Sequence, residues 1–88
     1  MILATTDIIR GSHNYGDSLD TDNINVAIDF MQNNDMNNLT CNIKLEGNHV
    51  LLTSLEEGNT DTGFIICDNN NDATVIYETL ISMNIHNV

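Results

Sequence analysis

Apolar residues at Ile24, Ala27, Ile28 and Met31, flanked by Val26 and Phe30, recur at helical spacing and predict a helix from Asp22 to Asn34, capped by Asp20 or Thr21. The period then changes. Leu39, Cys41, Ile43 and Leu45 alternate with Thr40, Asn42 and Lys44, which marks a strand with one buried face. Glu46-Gly47-Asn48 turns the chain into a second strand from His49 to Leu55, and a polar connection from Glu56 to Thr62 leads to a third from Gly63 to Cys67. Ala73, Ile76, Leu80 and Met83 form the stripe of a second helix from Asp72 to Asn84, started by an Asn or Asp cap and trailing into a frayed Ile85-His86-Asn87-Val88.

The first 21 residues carry a weaker pattern. Ile2-Leu3-Ala4 reads as a short strand, or Thr5 or Thr6 caps one helical turn that stops at Gly11; His13 to Thr21 reads as a loop from its Gly, Ser and Asx content. Strands joined by short turns pair as neighbours. The expected fold is therefore a single α+β domain over 1–88: a three-stranded antiparallel meander in α-β-β-β-α order, with both helices on one face of a two-layer sandwich. Val50-Leu51-Leu52 and Phe64-Ile65-Ile66 are apolar at consecutive positions, so the face that the helices leave open should be partly apolar and suited to a homodimer or a docked partner. This element order is similar to that of double-stranded-RNA-binding domains, but those hold phosphates on basic loops that this chain lacks.

Charge narrows the partner. Thirteen carboxylates against Arg10 and Lys44 give a net charge of −11, which disfavours nucleic-acid phosphates and anionic membranes and favours a basic protein. Asn and Ile are abundant, as AT-rich coding would make them, yet the same bias should enrich Lys, which appears once. Extra Asp and Glu also serve solubility, the plainer reading of the same composition. No apolar stretch approaches a membrane span, and Met1 to Asp7 has neither the basic segment nor the apolar run of a signal peptide, so a cytoplasmic location is expected.

The expected topology sorts the carboxylates. Asp17, Asp20, Asp22, Glu46, Asp68 and Asp72 should share one end of the molecule, and Asp35, Glu56, Glu57 and Asp61 the other. Asp20 or Asp22 and Asp72 also suit helix N-termini, where a carboxylate accepts free backbone N–H groups. Asp17, Glu46, Glu56, Glu57 and Asp61 have no such duty, and together the acidic ends form a candidate partner-binding surface that imitates phosphates. Its reach is limited: a domain about 30 Å across matches a length of duplex holding roughly 18 charges, more than the chain carries.

Other chemistry finds less support. Reading Asp68 as the first position of a calcium loop places Ala73 where Gly is needed and Thr79 where a bidentate Glu belongs; His13, His49 and His86 lack zinc spacing. No metal or cofactor is expected. Cys41 and Cys67 fall on strands separated by a third, about 9.5 Å apart and beyond disulfide reach, so they read as free core thiols. Glycines at 11, 16, 47, 58 and 63 never cluster into a phosphate-binding loop, and no nucleophile is paired with a base, so an enzyme is not expected. The functional expectation is a small inhibitor of the anti-CRISPR or anti-restriction type, encoded by a phage or mobile element, that blocks the DNA- or RNA-binding site of a host protein. The alternative is a non-inhibitory interaction module working through the apolar sheet face.

Overall fold

Gly11 and Ser12 lie between two strands. In the computed structural model, which describes residues 1–86, β1 (Ile2–Arg10) and β2 (His13–Thr21) pair antiparallel from Ile2↔Thr21 to Arg10↔His13. Gly11 takes a φ of +61° at the first turn position, as does Gly47 in the later hairpin, a conformation that costs a glycine nothing. The chain continues through α1 (Ile24–Asn33), β3 (Cys41–Glu46), β4 (His49–Ser54), β5 (Thr62–Ile66) and α2 (Asn70–His86).

These strands form one five-stranded antiparallel sheet in the order β2-β1-β5-β4-β3. The three-stranded sheet expected from the sequence is thereby corrected. β3, β4 and β5 do run as a meander, but β5 is an interior strand because β1 pairs along its other side from Leu3↔Ile66 to Asp7↔Thr62. The physical reason is burial: Ile2, Ala4, Thr6 and Ile8 all face the core, and a loop could not place four alternate residues there. His13 to Thr21 likewise is a strand and not a loop.

Both helices cover one face, α1 over β1 and β2 and α2 over β3 and β4, so the architecture is a two-layer α+β sandwich. Ala27, Ile28 and Met31 of α1 and Ala73, Ile76 and Leu80 of α2 pack on Ala4, Ile43, Val50, Leu52 and Ile65. At Gly63 the packing is tight, and an added Cβ would lie 2.8 Å from Met31 Cε. Asn23 caps α1, its side chain accepting the N–H groups of Asn25 and Val26; Asp20 and Thr21 are strand residues instead. At the other end Asp35 has a φ of 65° and Met36 N–H bonds Met31 C=O at 3.0 Å, a left-handed helix stop that buries Met36. Asn69 caps α2 by accepting the N–H of Asp72 at 2.8 Å. That helix continues to His86, so Ile85 and His86, expected in a frayed end, are helical, and the rest of that expected end, Asn87 and Val88, lies outside the described residues.

Candidate functional site

Strand register decides which carboxylates are neighbours. Asp20, Leu3, Ile66, His49 and Glu46 lie level across the five strands, so Asp20 and Asp22, Asp68 and Asp72, and Glu46 share one end of the sheet. Asp17 does not join them. It pairs with Thr6, three residues before Asp20 in β2, or about 10 Å away at strand rise. From β2 to β3 the row crosses four strand spacings, about 19 Å.

Several members of this row also have local duties. Asp72 sits in the first turn of α2, where its carboxylate accepts from the Asn69 side chain at 3.3 Å. Glu46 lies 2.9 Å from Lys44 Nζ; the hydrogen bond and the charge lower the Glu46 pKa and raise that of Lys44. The Met1 α-amino group bonds Asp68 and lies 3.5 Å from Asp22, and the Asp68 hydrogen bond above all raises its pKa. Asp20 and Asp22 are exposed at the edge strand, where charge also deters pairing with another chain.

At the opposite end Asp35, Glu56 and Asp61 line one hollow of about 210 Å³, and Glu56 and Glu57 line a second of about 280 Å³ beside Ile9. Asp61 is a correction to the candidate surface. It is 1 % exposed and its carboxylate accepts the Ile9 N–H, so it belongs to the interior. Glu56 and Glu57 are exposed, Glu56 accepting from the Asn59 side chain at 3.2 Å.

The helix-free face of the sheet is the other candidate. Leu3, Thr5, Asp7 and Ile9 of β1 point to it, level with Thr62, Phe64 and Ile66 of β5 and with His49, Leu51 and Thr53 of β4. Phe64 and Ile9 are each 38 % exposed, while Leu3, Leu51 and Ile66 are half-buried. Of the apolar runs read from the sequence, Leu51, Phe64 and Ile66 therefore face outward, and Val50, Leu52 and Ile65 face the core. Leu3, Asp7 and Ile9 were not anticipated on this surface, because placing them requires β1 beside β5. The short-strand reading of Ile2-Leu3-Ala4 covered only the start of that strand.

Cys41 and Cys67 are buried and free. They also lie at opposite ends of the sheet, Cys41 level with Ser54 and Cys67 bonded through its N–H to Asn48 C=O. Burial is the main cause that pushes both thiols above their ordinary pKa. Among the described residues no three Asp, Glu, His or Cys side chains gather as a metal site requires, and no helix is long and apolar enough to cross a membrane.

Compared with protein-family models, curated proteins and solved structures, the chain matches none.

Proposed function

We propose that the protein is a small acidic inhibitor that occupies the basic nucleic-acid-binding site of another protein, in the manner of anti-CRISPR or anti-restriction proteins from phages and mobile elements. The supporting observation is that every acidic residue except Asp61 reaches the surface. Asp20, Asp22, Glu46 and Asp68 lie along one end of the sheet about 19 Å wide, with Asp72 in the helix layer beside them; one nucleic-acid strand presents about six phosphates over that distance, at one per 3.4 Å. The row thus suits a groove that holds a single strand or a short site better than one that grips a long duplex. Pairing with Lys44 weakens the Glu46 end.

The test is capture of a host protein on the immobilised chain, with DNA or RNA added as competitor and the salt raised in steps. Nucleic acid and salt should each release the captured protein, because charge-driven contacts are screened and share one site. A combined Asp20→Asn, Asp22→Asn and Asp68→Asn variant should bind at least ten-fold more weakly, and Asp17→Asn should change little. Undiminished capture by the triple variant would overturn the reading.

A second reading, a non-inhibitory interaction module, is favoured by one specific observation: Leu3, Leu51, Phe64 and Ile66 adjoin on the face that no helix covers.

A further inference from the structure

We infer that the outer edge of β2 takes an extended basic segment of the partner protein as a sixth strand; the inference rests on the basic-partner reading and names the mode of contact. β2 ends one side of the sheet, and among the described residues no strand pairs with its outer side. Asp17 N–H turns inward, to Thr6 Oγ1 at 3.2 Å. By strand alternation Asn14, Gly16, Ser18 and Asp20 then turn their N–H and C=O groups outward, and all four residues are exposed. β2 has nine residues, about 30 Å of ladder, whereas β3 at the opposite edge has six and carries Lys44.

Charge selects the occupant. A second copy added to β2 in full antiparallel register would set Asp17 directly against Asp17, in a narrow pair whose Cα atoms approach to about 4.5 Å, and would bring another charge of −11. A segment bearing Lys or Arg instead meets carboxylates on both sides of the ladder: Asp17 on the helix side and Asp20 on the open side, with Asp22 just beyond. Exposed Asp7 is level with Gly16 on the open side, and a long basic side chain reaches it because Gly16 puts no side chain in the way. Basic residues level with Asp20, Asp17 and Gly16 are spaced i, i+3 and i+4 along an antiparallel segment. Asp20 and Asp22 also belong to the acidic end of the sheet, so the added strand runs onto it.

In the free chain Asp17 Oδ1 accepts the Ser18 N–H at 2.9 Å, which covers one of the four outward donors until a cation level with Asp17 draws the carboxylate away. The main-chain ladder supplies most of the affinity in this mode of contact and a single exposed charge little, so Asp17→Asn alone has a small effect.

Two labelled nine-residue peptides of one sequence provide the test, with Lys at the positions level with Asp20, Asp17 and Gly16 and Thr or Val elsewhere. The second is N-methylated at its three central residues, which keeps its charge and interrupts both of its edges. Fluorescence anisotropy should show the unmethylated peptide binding at least ten-fold more tightly. Ser18→Pro, which removes an outward N–H and no bond to β1, should lose that advantage, whereas Val75→Ser, on an exposed position of α2, should keep it. Because the proline variant alters a strand, hydrogen exchange on the unaltered protein gives an independent readout, with slowing expected at Asn14, Gly16, Ser18 and Asp20 when the unmethylated peptide binds. Equal, salt-sensitive binding of both peptides would overturn the edge assignment and leave the basic-partner reading standing. Absence of salt-sensitive binding to either peptide would overturn the assignment and count against that reading too. Slowing confined to β3, or a dimer in sedimentation equilibrium that Ser18→Pro dissolves, would also overturn the assignment.

Discussion

The carboxylate of Asp61 accepts the backbone N–H of Ile9 at 2.8 Å, joining residues 52 positions apart. β5 begins at Thr62, so the Asp61 side chain takes over where the backbone ladder to β1 stops. Replacing Asp61 with Ala leaves that N–H without its acceptor and should lower stability by about 2 kcal/mol, with Asp61→Asn costing less. Urea unfolding measures the loss, and hydrogen exchange at Ile9 should accelerate in the Ala variant ahead of the amides of β4.

Two glycines should respond differently to the same added methyl group. At Gly16 a Cβ would lie 2.2 Å from the Thr6 carbonyl oxygen, a backbone atom of the paired strand that cannot give way alone. At Gly63 the nearest atom is the flexible end of Met31. Gly16→Ala should cost about 3 kcal/mol and Gly63→Ala about 1 kcal/mol, compared by thermal melting.

Asp35 holds a left-handed conformation in which glycine carries no side-chain penalty. Asp35→Gly should stabilise the protein by about 0.5 kcal/mol, read as a shift in urea midpoint without a change in slope.

Burial raises the pKa of Cys41 and Cys67 above the ordinary value of 9.0, so the folded state favours the neutral thiol. Their contribution to stability is present below pH 9.0 and declines as the unfolded chain ionises first, disappearing as pH passes the raised folded values. Urea midpoints from pH 7 to 10.5 should fall at the alkaline end, and a Cys41→Ala/Cys67→Ala variant should show a shallower fall. Alkylation of either thiol should require unfolding.

Both helices and β3, β4 and β5 were legible because Ile24 to Met31, Cys41 to Leu45 and Ala73 to Leu80 each bury one phase of a regular period. β1 was obscured because Leu3 and Ile9 are apolar on the phase opposite to Ile2, Ala4 and Ile8, which blurs the alternation. β2 is an edge strand with Asn14, Asp17, Ser18 and Asp20 exposed, so solvent permits a composition that reads as loop. The strand reading of Ile2-Leu3-Ala4 caught the start of β1, and Gly11-Ser12, a hairpin turn pair, marks its end. The grouping of Asp20, Asp22, Glu46, Asp68 and Asp72 at one end survived the change in topology because the hairpin sets β2 antiparallel to β1 and brings Asp20 level with Ile66. The position of Asp17 within the strand, and the burial of Asp61, depended on register that composition does not encode.

The pairing of Leu3 with Ile66 has a kinetic consequence. β1 can zip to β2 as soon as both have left the ribosome, but its other edge must wait until β5 emerges, after most of the chain has been synthesised. Such a long-range closure slows folding and leaves a strand edge open to neighbouring nascent chains in the interval. Mutual repulsion between strongly acidic copies keeps those chains apart while the edge waits.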